Sequence, residues 1–150
     1  VSVRTPRPDI ALPQVCDACP HGGPLAGLAA GLAAVGTSWV FAVATDMPFL
    51  RPALIERLAH ERDGHQAVVP MVGGHPQPLA AFYSTSALPV IENLLAGKEK
   101  NSLRAALTQL NVRYVAESEL LAADPGLRSF FDLDTPQDLA LALQQEEFGE

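Results

Sequence analysis

The sequence predicts one α/β domain with a mostly parallel sheet, and three observations in its first third support this fold class. Residues 39–44 form an apolar run without polar alternation, which is typical of a strand buried on both faces of a parallel sheet. The preceding segment carries apolar residues at helical spacing, between a glycine turn and Gly36. Asp46 follows the strand, and ligands of open α/β sheets bind in the crevice beyond the carboxyl ends of strands. This order predicts a ligand site at that sheet edge.

The composition is that of a single folded domain. Of 150 residues, 48% are hydrophobic and 18% are charged, which allows a substantial core and excludes general disorder. No apolar run reaches membrane-spanning length and no basic-then-apolar leader is found, so we expect a cytoplasmic protein without membrane contact. The net charge of −7 argues against nucleic acid as a partner, because such affinity depends on neutralising phosphates. Binding of small anionic ligands is still possible, since helix N-termini and metal ions can hold phosphates.

The chain begins with a strand end at residues 1–4 and a proline-rich surface connection over residues 5–14, followed by a short strand at Val15 and Cys16. Asp17 then lies at the sheet edge, a few residues before the glycine turn. A carboxylate in this place can accept two N–H bonds from the edge of a guanine, a pairing that distinguishes guanine from adenine. An ordinary loop aspartate is the equally open alternative.

The two cysteines, Cys16 and Cys19, raise the question of a metal or redox site. A zinc site would use both cysteines and His21, but the sequence offers no fourth ligand nearby. A thioredoxin-like motif needs a strand before the pair and a helix after it, whereas Pro13 precedes this pair and Pro20 follows it. We therefore expect two reduced thiols in a loop.

The glycine turn at Gly22 and Gly23 begins a helix, because Pro24 suits the first helical turn, where its missing N–H would have no partner. The role of Asp46, after the next strand, has two interpretations. An acidic side chain there can hold Mg²⁺ against a nucleotide phosphate. Alternatively, Thr45 and Asp46 cap the following helix.

The middle of the chain alternates helices and strands. The pattern predicts helices from Pro52 to about Asp63, after a cap within residues 84–86 and after Asn101 or Ser102, with strands at residues 66–72, 79–83 and 112–115. The prolyl connection at residues 75–78 either presents Gln77 to a ligand or forms a rigid hairpin turn. Residues 117–129 are expected to hold one helical turn and then a tight turn at residues 124–126.

Residues 130–139 are the second informative stretch. Phe131 and Leu133 are expected to point one way and Asp132 and Asp134 the other, as on a short strand. Residues 135–138 then have the features of a helix start, with a threonine cap, a first-turn proline and an acidic residue. Two carboxylates in close succession repel each other unless water or a cation intervenes, so the pattern indicates a metal site. Simple exposure to solvent is the competing interpretation.

Four segments together resemble the molybdenum cofactor guanylyltransferases of the MobA-like nucleotidyltransferase family. They are residues 23–27, 45–50, 77–83 and 131–139, in the family's order and with similar spacings. The resemblance implies a Rossmann-like three-layer α/β/α fold with a mostly parallel sheet. It also implies transfer of GMP from GTP to molybdopterin carrying molybdenum, with Mg²⁺ as cofactor and release of pyrophosphate. Partners implied are GTP, a molybdopterin-type cofactor, and other molybdenum cofactor biosynthesis proteins or molybdoenzymes.

The same resemblance implies the roles of five residues toward the nucleotide. Asp46 corresponds to the catalytic aspartate that binds Mg²⁺ and nucleotide, and Asp17 to the residue that reads guanine. Gly22 and Gly23 would let the backbone approach the nucleotide. Ser2 matches a polar residue that contacts it.

Two departures from the family pattern change what the resemblance implies. Asp134 falls where the family commonly has an asparagine in an Asn-x-Asn-Thr-Pro pattern, and its carboxylate keeps an oxygen ligand for the metal. The family's first strand and its Gly-Gly-x-Ser-x-Arg-Met-Gly-x-Asp-Lys loop have no counterpart in these residues. We therefore expect an N-terminal strand–loop–helix unit of roughly 35 to 45 residues to be missing. A cytidylyltransferase of the same family and a non-catalytic nucleotide-binding remnant are the alternatives.

Overall fold

The computed structural model describes residues 1–16, 22–97 and 102–147. The strands are β1 (Ser2–Val3), β2 (Val15–Cys16), β3 (Trp39–Val43), β4 (Ala67–Val72), β5 (His75–Pro76), β6 (Ala80–Ser84) and β7 (Val112–Val115). The α-helices are α1 (Gly23–Ala34), α2 (Pro52–Ala59), α3 (Leu88–Ala96), α4 (Leu103–Leu107), α5 (Glu117–Leu120) and α6 (Pro136–Glu147). None of the described helices is both long enough and apolar enough to span a membrane.

The main sheet has five strands and is mixed. In it β6 pairs antiparallel with both β3 and β4, while β4 pairs parallel with β7 and antiparallel with the short β5. Three of its longer strands, β3, β4 and β7, therefore run in one direction, and their carboxyl ends lie at one edge. The predicted site at the end of β3 is at this edge.

The expectation that β3 is buried on both faces of a parallel sheet is wrong. This strand pairs antiparallel with β6, is half-buried along most of its length, and exposes 43% of Val43. The reason is its position, because β3 is the end strand of the main sheet within the described residues. An apolar run reports burial of side chains but does not encode the direction of the neighbouring strand.

A second, two-stranded sheet pairs β1 with β2 in parallel, with Ser2 opposite Val15. Helix α1 contacts both of these strands and also β3, so one helix covers parts of both sheets. Gly27 makes the close approach to β1 possible, since a Cβ atom there would lie 3.0 Å from Oγ of Ser2.

The core confirms the three-layer α/β/α architecture. On one face, α1, α3 and α4 pack against Ala67, Val69, Ala81 and Tyr83. On the other face, residues of α2 and α5 pack against Val68, Phe82 and Val115. This division follows from the alternation of side chains along β4 and β6, whose successive residues point to opposite faces.

The local signals for helix ends are largely confirmed. Ser84 accepts a hydrogen bond from the amide of Ser86 at a 3₁₀ turn that leads into α3, and Ser102 accepts one from the amide of Ala105 at the start of α4. Helix α2 ends at Ala59, four residues earlier than predicted, and the chain then forms turns up to His65. The alternative cap Asn101 lies outside the described residues.

Candidate active site

Asp46 lies in the turn just beyond the carboxyl end of β3. The amide of Ala44 still donates to the carbonyl of Leu79 in the neighbouring β6 segment, at 3.0 Å, and pairing with β6 stops there. The side chain of Asp46 is half-buried, and its Oδ1 atom is buried without a hydrogen-bond partner among the described residues. A buried acceptor without a donor is costly, so this oxygen is suited to a cation or a donor from a ligand.

The alternative role of Asp46, as a helix cap, is not what the structure shows. The N-cap of α2 is Arg51, and no side chain makes a capping hydrogen bond there. Proline at the start of α2 removes one of the amides that a cap would serve. Asp46 therefore does not cap the following helix.

The second acidic segment, residues 131–134, lies against the turn that carries Asp46. The amide of Leu133 donates to the carbonyl of Asp46 at 2.9 Å. The predicted short strand is wrong, because no strand is formed at residues 131–134. Its neighbour is a turn past the end of β3, and a turn does not offer the regular row of donors and acceptors that a ladder needs.

The predicted alternation of side chains in this segment is nevertheless confirmed. Phe131 and Leu133 are half-buried, whereas Asp132 and Asp134 are more open to solvent on the other side of the chain. Partial loss of hydration raises the pKa of the Asp132 carboxyl above its usual value, and the charges of Asp46 and Asp134 raise it further. The structure thus places Asp46 and Asp134 each within electrostatic reach of Asp132, and we refer to the three residues as the acidic trio.

Asp132 is a member of the trio that the resemblance does not assign to the site. The signal that finds it is the alternation in residues 131–134, which puts Asp132 on the same side of the chain as Asp134. Partial burial, and then the nearby charges of Asp46 and Asp134, raise the pKa of its carboxyl.

The trio does not form a ready-made metal cage. Among the described residues, no three acidic, histidine or cysteine side chains are arranged so that they could hold a metal ion by themselves. Mg²⁺ is usually bound by one or two carboxylates together with water and substrate phosphates. The unpartnered Oδ1 of Asp46 and the repulsion of Asp132 by Asp46 and Asp134 are compatible with an open site of this kind.

The glycine turn begins a helix, as predicted, since α1 starts at Gly23. Gly23 has a φ of +55°, which side chains rarely adopt, and a Cβ atom there would meet nothing within 4 Å. Gly22 is the N-cap of α1, where no side-chain cap bonds to the first amides. Ser2 lies on β1, with its hydroxyl against Gly27 of the same helix. The contacts described for Asp46 are with the acidic segment, and none joins it to Gly22, Gly23 or Ser2 within the described residues.

Part of the predicted site cannot be placed. Asp17, the candidate guanine-reading residue, lies outside the described residues, as do Cys19 and His21 of the cysteine motif. Cys16 is an exposed free thiol on β2. Gln77 donates its side-chain amide to the carbonyl of His75, and its backbone amide donates to the carbonyl of Pro70. The predicted hairpin turn at residues 75–78 is wrong, because the chain reverses at Gly73 and Gly74 and His75–Pro76 form β5.

The loop that precedes the acidic segment is fixed by a buried carboxylate. Asp124 is completely buried, and its oxygens accept hydrogen bonds from the amides of Arg128, at 3.2 Å, and Ser129, at 2.8 Å. The Arg51 guanidinium lies 4.0 Å from the same carboxylate, and the Arg51 amide donates to Oγ of Ser129 at 3.0 Å. These bonds tie the segment before Asp132 to the start of α2.

Comparison with known proteins identifies a family for this chain. Residues 1–118 match the family described as the MobA-like NTP transferase domain, a range that contains Asp46 and ends before Asp132. The chain is 35% identical over 133 residues to a probable molybdenum cofactor guanylyltransferase of Pelotomaculum thermopropionicum, covering 89% of this chain and 64% of the relative. It is 36% identical over 121 residues to the molybdenum cofactor guanylyltransferase of Desulfosudis oleivorans, covering 80% of this chain and 59% of that one.

A solved structure shows the same fold over nearly the whole chain. The structure of molybdopterin-guanine dinucleotide biosynthesis protein A from Archaeoglobus fulgidus superposes with a TM-score of 0.81 and 30% identity, covering 93% of this chain and 71% of that one. The chain spans less than two thirds of the length of the two relatives above. The family match and these similarities show that the chain belongs to the MobA-like nucleotidyltransferase family.

Proposed function

We propose that the full-length protein containing this chain transfers GMP from GTP to molybdopterin carrying molybdenum, with release of pyrophosphate. The observation that carries the proposal is the unpartnered, buried Oδ1 of Asp46 at the carboxyl edge of the sheet, beside Asp132 and Asp134. The guanylyltransferase names of the relatives support it, as does the name of the Archaeoglobus protein, which refers to biosynthesis of molybdopterin-guanine dinucleotide.

In the proposed reaction, a phosphate oxygen of the acceptor attacks the α-phosphorus of GTP. A new P–O bond forms, the bond from the α-phosphorus to the bridging oxygen breaks, and pyrophosphate leaves with the electron pair. A phosphate monoester is largely ionised at neutral pH, so the attacking oxygen needs no general base. The protein's task is therefore to position two anions and to offset the charge that develops between them.

Mg²⁺, when bound, supplies the positive charge that offsets the phosphates. Asp46 and Asp134 are the proposed carboxylates that hold it, and Asp132 adds a third negative charge beside them. In addition, the uncapped amides at the start of α1 are suited to an anionic group, and Gly23 leaves open space there. Asp17 is proposed to read guanine and Ser2 to contact the nucleotide, both by resemblance to the family.

The test is a comparison of nucleotides with the full-length protein, molybdopterin carrying molybdenum and Mg²⁺. GTP is expected to give pyrophosphate and a guanine dinucleotide, while CTP and ATP give much less. Equal use of the three nucleotides, or no pyrophosphate with any of them, would contradict the proposal. Faster turnover with CTP would instead identify the cytidylyltransferase.

The variant Asp17→Ala tests the guanine contact separately. The expected result is loss of the preference for GTP over ATP, with binding of Mg²⁺ and triphosphate retained. The same variant should leave the preference unchanged if Asp17 is an ordinary loop residue.

A further inference from the structure

The turn after β3 and the chain that leads into the acidic segment run side by side in opposite directions. At one end, the Leu133 amide donates a hydrogen bond to the carbonyl of Asp46 at 2.9 Å. At the other end, the Arg51 amide donates to Oγ of Ser129 at 3.0 Å. The first stretch therefore advances from Asp46 to Arg51 while its neighbour returns from Leu133 to Ser129, and we refer to the two stretches together as the antiparallel junction.

A contact between two aromatic rings lies midway along the antiparallel junction. The ring centres of Phe49 and Phe131 are 5.8 Å apart at an interplanar angle of 54°. Both stretches of the junction are described by the structure and neither forms a strand, which fits the presence of Pro48, a residue without an amide N–H to donate. The separation of Asp46 from Asp132 is therefore set by a few individual contacts and not by a β ladder.

One end of the antiparallel junction depends on a side chain. Ser129 is completely buried and its hydroxyl oxygen is the acceptor for the Arg51 amide, whereas the bond at the other end joins backbone atoms. The Ser129 amide is held separately, because it donates to the Asp124 carboxylate at 2.8 Å. Removal of the hydroxyl therefore opens one end of the junction and leaves the bond to Asp124 in place.

We propose that Ser129 is a positioning residue, whose hydroxyl holds the turn that carries Asp46 at the separation from Asp132 and Asp134 that the cation requires. The proposal rests on the proposed function for the cation and the reaction, whereas the antiparallel junction rests on the contacts above. Carboxylates on two distant parts of the chain can share one cation only if their separation is fixed, and a displacement of about 1 Å can cost about 100-fold in rate. Ser129 acts through the backbone and contacts neither the cation nor the substrates.

The test uses Ser129→Ala in the full-length protein, well below its unfolding midpoint. At saturating Mg²⁺ and GTP, kcat of GMP transfer is expected to fall about tenfold. The Kd for Mn²⁺ in the presence of GTP, measured by electron paramagnetic resonance, is expected to rise at least about threefold. Affinity for GTP in chelator should stay within about twofold of wild type, because the hydroxyl does not contact the nucleotide. A loss of stability alone would change neither kcat nor the Kd for Mn²⁺ of the folded protein.

Ser84→Ala is the matched control. Ser84 is also a buried serine whose Oγ accepts a hydrogen bond from a backbone amide, that of Ser86 at 3.2 Å. It pairs with Trp39, at the opposite end of β3 from Asp46. Both variants remove the acceptor of one amide and should lower the unfolding midpoint by similar amounts, but Ser84→Ala should leave kcat unchanged. An equal loss of kcat in the two variants would overturn the positioning role.

The same hydrogen bond can be removed from its donor side, which tests the positioning role even if Ser129→Ala fails to fold. Arg51 has a φ of −94° and a ψ of 132°, an extended conformation close to that of proline in a polyproline II segment. Arg51→Pro removes the amide N–H and should reproduce the fall in kcat. Arg51→Gln keeps the amide and removes only the guanidinium, so its kcat should stay within about twofold of wild type. Ser129→Ala should add little in the Arg51→Pro background, because both changes remove the same bond.

The outcomes separate the positioning role from the proposed function. Weaker GTP-dependent Mn²⁺ binding in Ser129→Ala and Arg51→Pro supports the positioning role even if the wild-type protein transfers no GMP. Conversely, GMP transfer by the wild type with unchanged kcat and unchanged Mn²⁺ affinity in both variants would overturn the positioning role and leave the proposed function standing. Absence of GTP-dependent Mn²⁺ binding in the wild type would also overturn it.

Discussion

Two aspartates with buried oxygens, Asp124 and Asp46, have opposite surroundings. The Asp124 carboxylate is completely buried and accepts hydrogen bonds from two amides, with the Arg51 guanidinium nearby. The Oδ1 atom of Asp46 is also buried, but it has no partner among the described residues. A satisfied buried carboxylate stabilises the fold around it, whereas an unsatisfied one costs stability and persists where a ligand completes it.

The local sequence explains this difference. Asp124 begins a tight turn, and the chain after it folds back so that two amides reach the carboxylate. The chain after Asp46 contains Pro48 and Pro52, which have no amide N–H to donate. The comparison therefore predicts that changes at Asp46 affect catalysis and changes at Asp124 affect stability.

The largest expected effect is on turnover in Asp46→Asn. This change keeps the shape of the side chain but removes the charge that would hold the cation, so kcat of GMP transfer should fall by roughly 100- to 1000-fold. The free energy of unfolding without metal should not fall, because no native hydrogen bond of the Oδ1 atom is lost. The control is Asp63→Asn, an aspartate in the turn after α2 and outside the trio. Activity of Asp46→Asn within a few-fold of the control would contradict the assignment.

The next largest effect is on stability in Asp124→Ala. The buried amide of Ser129 and the partly buried amide of Arg128 would lose their acceptor, which should lower the free energy of unfolding by about 2 to 4 kcal/mol. Asp124→Asn keeps one acceptor oxygen and should lose about half as much. Denaturant unfolding of the full-length protein measures the loss of stability in both variants. If Asp124→Ala unfolds at the wild-type midpoint, the loop is held by other contacts.

A matched pair of glycines tests the turn at the start of α1. Gly23→Ala must adopt a φ of +55° and should lose about 1 kcal/mol of stability, although no atom blocks the new Cβ. Gly31→Ala also meets nothing within 4 Å, but it lies inside the same helix and should gain up to about 1 kcal/mol. Thermal unfolding of the two variants should therefore shift in opposite directions. Shifts of equal sign would show that conformation at Gly23 is not the constraint.

The smallest effect concerns pH and Asp132. Since the pKa of this carboxyl is raised in the folded protein, the native state holds the proton more tightly than the unfolded state. The ionised Asp132 carboxylate therefore lowers the stability of the folded protein at pH values above its pKa in the folded state. This loss of stability disappears as the pH falls below the ordinary carboxyl range. Asp132→Asn should therefore stabilise the metal-free protein at neutral pH, by less than about 1 kcal/mol because solvent screens the side chain.

The measurement is thermal unfolding in chelator at several pH values. The difference between wild type and Asp132→Asn should shrink as the pH is lowered toward 3.8, the usual carboxyl value. Added Mg²⁺ and GTP should stabilise the wild type more than the variant. A variant that is less stable than wild type at neutral pH would show that Asp132 makes a favourable contact instead.

The features that the sequence predicted correctly are those that depend on neighbouring residues. The short strand at Val15 and Cys16, the helix from the glycine turn, and the caps at Ser84 and Ser102 follow from local hydrogen bonding and spacing. The acidic segment was found for the same reason, since its alternation is visible within residues 131–134.

The features that the sequence did not predict depend on contacts between distant residues. The antiparallel pairing of β3 with β6 joins residues 39–43 to 80–84, and burial patterns do not specify strand direction. The bond from the Leu133 amide to the Asp46 carbonyl joins two distant parts of the chain and replaces the predicted strand. The ion pair between Asp124 and Arg51 was likewise hidden, because Arg51 reaches the carboxylate from the start of α2.

The most direct test of the central claim is a titration of the full-length protein with Mn²⁺, which shares the oxygen-ligand preference of Mg²⁺ and is paramagnetic. Free Mn²⁺ is followed by electron paramagnetic resonance, with and without GTP, in wild type and Asp46→Asn. The account predicts tight Mn²⁺ binding that requires GTP in the wild type and a loss of that binding, by at least about tenfold in Kd, in Asp46→Asn. Equal GTP-dependent binding in the two proteins would show that the Asp46 carboxylate does not hold the cation.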